Sequence, residues 1–262
     1  MKKAVMTIHG FLTETKDFGR LYDYLDMYNE VKAVEIPGHN GDKPNFSLFN
    51  AEDTFATVLA VYDELKQRND TVDVVGFSMG GALATWLCSV REVKCAVLIS
   101  PANKYINTEL PVSFGKFVGE LGRKAFRESE GKLREKIDAT NKAFEPYIEN
   151  LKAANKVAKE RSFRYMNPRT YSTFRKVIKN VNTVVETTSP HNTHALVLWG
   201  KLDELVPYRS VQYVKKHFPN ATELVYPDVG HAMLYTNLDD VIIHDIIHFL
   251  TEGEVSLEIP KR

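Results

Sequence analysis

The chain has 262 residues, 44% of them hydrophobic, and it carries 34 basic and 34 acidic side chains. These values are typical of a globular protein with a sizeable core and exclude a disordered chain. The balanced charge provides no global field that would attract nucleic acid or an anionic membrane, so we expect neither as a partner.

Strands and helices alternate in the first hundred residues. Four apolar runs indicate β-strands, at 3–8, 31–36, 72–77 and 95–100. Helical spacing is found between them, at about 17–28, from about 50 to 65, and from 81 onward. Unbroken runs of Val, Ile and Leu separated by helices are typical of a parallel sheet covered on both faces.

The alternation stops between residues 110 and 190, where charged segments carry apolar residues at helical spacing. Asn167 and Pro168 have the pattern of a helix cap followed by proline in the first turn. Strands then return at 195–199 and 222–226, with helices at about 208–217 and 238–251. We therefore predict an α/β core with a mostly parallel six-stranded sheet, formed by 1–109 and 191–262, and a helical cap at 110–190.

The N-terminus predicts a cytoplasmic protein. The basic start at Lys2 and Lys3 is followed by an apolar run that stops at His9, which is too short for a signal peptide. No run has the length of a transmembrane helix, so no stable membrane anchor is expected. Cys88 and Cys95 fall on a predicted helix and the next strand, which favours buried, reduced thiols over a disulfide.

Ser78 lies in the stretch Gly76-Phe77-Ser78-Met79-Gly80, between a predicted strand and a predicted helix. At so sharp a turn, side chains at the two glycines would collide with the neighbouring strand or helix, whereas the serine Oγ projects freely. The free N–H groups and positive end of the following helix then lie beside the hydroxyl. The stretch predicts a nucleophilic serine.

A serine nucleophile needs a base to take its proton and an acid to orient that base. Asp203 and His231 each follow a predicted strand, so a parallel sheet would bring both to the edge where Ser78 emerges. The order Ser, Asp, His along the chain also fits a hydrolase triad. Glu204, beside Asp203, is an alternative for the orienting acid.

Four segments together resemble the α/β-hydrolase superfamily: His9-Gly10-Phe11, residues 76–81, residues 200–207 and Gly230-His231. The resemblance is strongest to small bacterial carboxylesterases and monoacylglycerol-lipase-like serine hydrolases. It implies that Ser78 is the nucleophile, His231 the general base and Asp203 the acid, with an acyl-enzyme on the serine.

The resemblance also implies an oxyanion hole formed by the backbone N–H groups of Phe11 and Met79, a small acyl ester as substrate, and no cofactor. The insertion at 110–190 is where the family carries a lid. Its apolar side chains are candidates to line an acyl pocket: Phe114, Phe117, Tyr165, Met166 and Phe174. Among macromolecular partners, only a second copy of the chain in a homodimer is considered.

Other functions fit parts of the sequence. Thioesterases, acyltransferases, carbon–carbon bond hydrolases, aminopeptidases and perhydrolases use the same triad, and the fold does not choose among them. The segment from His244 to His248 is similar to the zinc motif H-E-x-x-H, but aspartate replaces the glutamate and no third ligand is evident, so no metal is predicted. A non-catalytic binding module is disfavoured because all three triad positions are filled.

Overall fold

The computed structural model describes residues 1–41, 43–105, 165–236 and 239–255, together with the single positions 123, 127, 135 and 142. Six strands lie in this part of the chain: β1 (Lys3–Ile8), β2 (Glu30–Val34), β3 (Thr71–Phe77), β4 (Cys95–Ile99), β5 (His194–Gly200) and β6 (Thr222–Tyr226). They form one sheet in the order β2-β1-β3-β4-β5-β6. All neighbouring strands are parallel, which confirms the predicted α/β sheet.

Helices cover both faces of the sheet. The described α-helices are α1 (Ala51–Arg68), α2 (Met79–Val90), α3 (Pro168–Thr188), α4 (Tyr208–His217) and α5 (Asp239–Glu252). Along β1, Ala4, Met6 and Ile8 pack into one apolar cluster with α1 to α4, while Val5 packs into a second cluster with α5. This alternation places two hydrophobic cores around one buried sheet.

The segment predicted as a helix at 17–28 differs in the structure. It is a 3₁₀ helix over Thr15–Tyr24, and Gly19 interrupts it with φ 50° and ψ −129°. Glycine adopts this backbone conformation without the steric cost of a side chain, and the helical hydrogen-bond ladder ends there. The prediction of a regular helix was therefore wrong.

Apart from four single positions, the predicted helical insertion is described only near its C-terminal end. There α3 begins as predicted, because the Asn167 side chain accepts the Thr170 N–H at 3.0 Å and Pro168 occupies the first turn. Its apolar face, including Val177 and Val181, is buried against α1 and α2. The division into a core and a cap, with boundaries at 110 and 190, stays a prediction.

Both cysteines are free and buried. Burial raises the pKa of the Cys88 thiol to about 12 and that of Cys95 to about 11. Among the described helices, none has both the length and the apolar character that crossing a bilayer requires.

A buried carboxyl group joins β3 to its neighbours at the amino-terminal side of the sheet. Asp73 on β3 accepts the Tyr28 hydroxyl at 2.7 Å and the Cys95 N–H at 2.9 Å. Burial raises the pKa of Asp73, and the two hydrogen bonds only partly oppose that effect. The carboxylate therefore depends on its donors whenever it is ionised.

We expect Tyr28→Phe to lower the free energy of unfolding by about 1–3 kcal/mol, because it removes a donor from a buried carboxylate. The raised pKa means that the folded protein binds this proton more tightly than the unfolded chain does, so ionisation of Asp73 costs stability as pH rises. The decrease in the free energy of unfolding that Tyr28→Phe causes should therefore become larger as pH rises. Urea unfolding between about pH 4 and about pH 8 measures it.

Tyr24→Phe is the matched control, because the Tyr24 side chain is exposed and its hydroxyl contacts only the exposed Arg20 among the described residues. It should change stability little at either pH. An equal loss in both variants would contradict the role assigned to the Tyr28 hydroxyl.

Candidate active site

Ser78 occupies a strained corner between β3 and α2. Its φ of 54° and ψ of −115° lie outside the helical and extended regions that a serine usually adopts. The Ser78 N–H donates to the Ile99 carbonyl at 2.8 Å, and the Ser78 carbonyl accepts the N–H groups of Ala82 at 3.1 Å and Ala102 at 2.9 Å. The end of β4 therefore holds the corner in place.

Two glycines make this corner possible. A Cβ atom at Gly80 would lie 1.8 Å from the Ile8 carbonyl oxygen, and one at Gly76 would lie 2.3 Å from the Gly80 carbonyl oxygen. Both contacts are with backbone atoms, which cannot rotate away as a side chain can. The first turn of α2 therefore lies directly against the end of β1.

The structure brings Ser78, His231 and Asp203 together. The Ser78 Oγ lies 3.0 Å from His231 Nε2, and His231 Nδ1 lies 2.9 Å and 3.1 Å from the two carboxylate oxygens of Asp203. A carboxylate only accepts, so Nδ1 carries the proton and the Nε2 lone pair faces the serine hydroxyl. This is the geometry that removes a proton from a serine.

The loop after β5 holds Asp203 in a water-excluded position. The residue is fully buried, and its Oδ1 accepts the N–H groups of Leu205 at 2.9 Å and Val206 at 2.7 Å. Burial alone would lower the pKa of His231, but the charge and hydrogen bond of Asp203 outweigh it, so the pKa is raised. The site therefore favours an imidazolium once His231 has taken a proton.

Glu204 contacts the same histidine at a different place. Its Oε2 accepts the backbone N–H of His231 at 3.1 Å, whereas the ring is bonded to Asp203. The sequence left Asp203 and Glu204 as candidates for orienting the imidazole ring. In the structure, Asp203 is the one that contacts the ring.

The loops after β5 and β6 approach each other closely. Leu202 N–H donates to the Val229 carbonyl at 3.0 Å, and Lys201 N–H donates to the Tyr226 carbonyl at 2.9 Å. A Cβ atom at Gly200 would lie 2.1 Å from the Val229 carbonyl oxygen, so only glycine permits this approach. The acid and the base are therefore held on two loops that are bonded together.

The loop after β1 has an ordered peptide next to the serine. The Gly10 carbonyl accepts His9 Nδ1–H at 2.9 Å and the Thr13 hydroxyl at 2.9 Å. In a trans peptide the N–H points away from the preceding carbonyl, so these bonds also fix the direction of the Phe11 N–H. The first-turn N–H of Met79 has no acceptor within α2. Their role as an oxyanion hole is a proposal, developed below.

Sequence reasoning missed the contribution of Thr13. Its hydroxyl fixes the Gly10 carbonyl, yet a threonine three residues after a glycine is a common local pattern with no distinctive signal. It also missed the backbone donors to Asp203, which leave no mark in the sequence because any residue supplies an N–H.

The predicted pocket residues are only partly described. Phe174 is buried and stacks on Phe11 with ring centroids 4.7 Å apart, so it borders the loop after β1. Tyr165 packs against Phe46 at 5.1 Å beside a cleft of about 290 Å³, and Met166 is 42% exposed. Phe114 and Phe117 lie outside the described residues. The substrate-binding role of all five stays a prediction.

Two residues of the segment that resembles a zinc motif, Asp245 and His248, have local partners. His248 Nδ1 donates to the Glu254 carbonyl at 2.8 Å, and the Tyr226 hydroxyl donates to Asp245 at 2.7 Å. Within the described ranges, no three His, Cys, Asp or Glu side chains are close enough together to hold a metal ion.

The family model of the alpha/beta hydrolase fold matches residues 3–238, and the chain belongs to that family. Lipase 3 of Moraxella sp. (strain TA144) is 25% identical over 246 residues, covering 91% of this chain and 74% of the lipase. Lipase 1 of Psychrobacter immobilis is 23% identical over 242 residues with the same coverage. The pimeloyl-[acyl-carrier protein] methyl ester esterase of Neisseria meningitidis is 30% identical over 139 residues, which cover 50% of this chain and 49% of the esterase.

Solved structures agree on the fold. The structure described for LipS and LipT, two metagenome-derived lipolytic enzymes, has a TM-score of 0.64 at 14% identity and covers 96% of this chain and 94% of its own. Est1E from Butyrivibrio proteoclasticus has a TM-score of 0.59 at 17% identity, and the match covers 95% of this chain and 88% of Est1E. At these identities the likeness shows the fold alone. Together with the relatives, it makes the protein a lipase- and esterase-like α/β-hydrolase, as the sequence motifs indicated.

We expect Gly80→Ala to abolish stable folding, because its methyl group would overlap the Ile8 carbonyl. Gly81→Ala is the graded control, since its Cβ would lie 2.9 Å from Pro101 Cα, and it should cost about 1–3 kcal/mol. Soluble yield and thermal unfolding measure both effects. A Gly80→Ala protein that unfolds within a few degrees of wild type would show that α2 moves away from β1 at little cost.

Proposed function

We propose that the protein hydrolyses carboxylic esters through an acyl-enzyme on Ser78. The observation that carries the proposal is the 3.0 Å contact between Ser78 Oγ and His231 Nε2, on a ring whose other nitrogen is bonded to the buried Asp203. A serine hydroxyl is a poor nucleophile until a base takes its proton, and this contact supplies that base.

In the first half of the reaction, Ser78 Oγ attacks the ester carbonyl carbon while its proton passes to His231 Nε2. The carbonyl oxygen becomes an oxyanion, which the N–H groups of Phe11 and Met79 stabilise. The intermediate collapses, the bond to the alcohol oxygen breaks, and His231 gives its proton to the leaving alcohol. The product of this half is an ester of Ser78.

In the second half, water replaces the alcohol. His231 Nε2 takes a proton from the water as its oxygen attacks the acyl carbon, and the same N–H groups stabilise the second oxyanion. The bond to Ser78 Oγ then breaks, the serine recovers its proton from His231, and the carboxylic acid leaves. Neither half of this scheme uses a cofactor.

The relatives support an ester as the substrate class. Two are named lipases and one a methyl ester esterase, which are names for enzymes that act on esters. We therefore propose a carboxylesterase or a monoacylglycerol-lipase-like enzyme that acts on small acyl esters. The cytoplasmic location and the homodimer stay predictions.

Ser78→Ala should reduce kcat/KM for p-nitrophenyl acetate by about 10⁴-fold or more, because the nucleophile is lost while the corner is retained. Ser89→Ala is the control: this serine lies on α2, the helix that follows Ser78, and bonds to Thr85 and His191 instead. Circular dichroism and thermal unfolding establish that both variants fold. Near-normal hydrolysis by Ser78→Ala would refute the serine mechanism.

The rate should also depend on the protonation of His231. Because Asp203 raises the pKa of His231, kcat/KM should fall on the acid side as the imidazole protonates and ceases to act as a base. In Asp203→Asn the ring loses the partner that raises its pKa, so the acid limb should move to lower pH while the maximal rate falls by about 10⁴-fold. An acid limb at the same pH in both proteins would mean that another group controls it.

A further inference from the structure

Two consecutive carboxylates contact one histidine. Asp203 is bonded to the imidazole Nδ1 of His231 at 2.9 Å, and Glu204 Oε2 accepts the main-chain N–H of the same residue at 3.1 Å. The side chain and the backbone of the proposed base are therefore held by neighbouring residues of a single loop.

The Glu204 contact extends the bonding between the two loops. Backbone bonds already join Leu202 to Val229 and Lys201 to Tyr226, and both lie on the strand side of His231. The Glu204 bond joins the loop after β5 to the His231 N–H, while the His231 carbonyl accepts the Met233 N–H at 3.0 Å within its own loop. Among the described residues, the backbone bonds between the two loops reach only to Val229, and the Glu204 bond extends the contact to the main chain of His231.

The charge of Glu204 acts on the same ring. Among the described residues, the charged groups that face His231 are Asp203 and Glu204, and both raise its pKa. Burial in turn raises the pKa of Glu204, which the positive charge of a protonated His231 opposes and the charge of Asp203 reinforces. The half-buried glutamate is thus stabilised as a carboxylate mainly by its contact with the histidine.

We propose that Glu204 is a positioning residue for the general base, which anchors the His231 backbone and adds a second negative charge beside its imidazolium. Its importance for the reaction rests on the proposed function, whereas its effect on the histidine does not. A purely structural glutamate would contribute stability but would leave the titration of the ring unchanged.

Two variants separate the hydrogen bond from the charge. Glu204→Gln keeps an oxygen that accepts the His231 N–H but removes the charge, and Glu204→Ala removes both. Asp228→Asn is the matched control, because it removes a carboxylate from the loop that carries His231 and leaves the Glu204 bond in place.

The test is an NMR titration of His231 in the folded protein, with the resonance assigned by its loss in His231→Gln. We expect the pKa of the ring to fall by about one pH unit in both Glu204 variants and to stay unchanged in Asp228→Asn. Exchange of the His231 backbone N–H with solvent should become about tenfold faster in Glu204→Ala and change little in Glu204→Gln.

The same variants also affect turnover. The acid limb of kcat/KM should move to lower pH in Glu204→Gln, with kcat within a few-fold of wild type. In Glu204→Ala, kcat should fall by about tenfold, because the base is less well placed.

An unchanged ring pKa in both Glu204 variants would overturn the proposal, as would an unchanged exchange rate in Glu204→Ala. Neither measurement needs a substrate. If wild type and Ser78→Ala are equally inactive on esters while the titration shifts as expected, the proposed function fails and the role of Glu204 in positioning His231 stands.

Discussion

The close approach of α2 to the end of β1 is the constraint on which the rest of the site depends. It brings the backbone of Gly80 to a place where a methyl group would lie 1.8 Å from the Ile8 carbonyl. Because of it, the first-turn N–H groups of α2 and the loop at Gly10 and Phe11 flank the same serine. A wider corner would separate the two donors proposed for the oxyanion, so the strained geometry of Ser78 serves the chemistry of the site.

The charges of Asp203 and His231 are the second interaction on which the site depends. A fully buried aspartate, held by two backbone N–H groups, faces an imidazole that is itself almost fully buried. Each would be unfavourable alone in this environment, since burial opposes charge on both. Paired, they let His231 become positively charged where water is excluded, which is the state that the proposed mechanism requires when Ser78 gives up its proton.

The sequence predicted the six strands and the residues that meet at their carboxyl ends. Apolar strand runs and a serine between glycines are local patterns that can be read from the sequence. Because all strands of a parallel sheet end at the same edge, residues that follow different strands come close together there. Contacts between distant segments were not predictable in this way. The bond from Glu204 to the His231 backbone depends on how two loops approach each other, and the Gly10 carbonyl is held by a threonine of no distinctive pattern.

Helical periodicity was informative about burial but not about partners. In α3 the apolar residues at helical spacing form a buried face, but the neighbours of that face, α1 and α2, follow from tertiary packing. The break at Gly19 likewise depends on a backbone angle that a glycine permits without requiring it.

The position of β6 in the sheet has a consequence for how the enzyme loses activity. In the described sheet β6 is the outermost strand, paired with β5 alone, and its residues are half-buried whereas those of β4 are fully buried. Edge segments with few buried contacts open at a lower free energy than a central core. Since His231 follows β6 while Ser78 follows β3, a detached edge would remove the proposed base and leave the proposed nucleophile on a folded centre. On the proposed mechanism, fraying of this one strand would therefore remove activity at a lower free energy than unfolding of the central sheet.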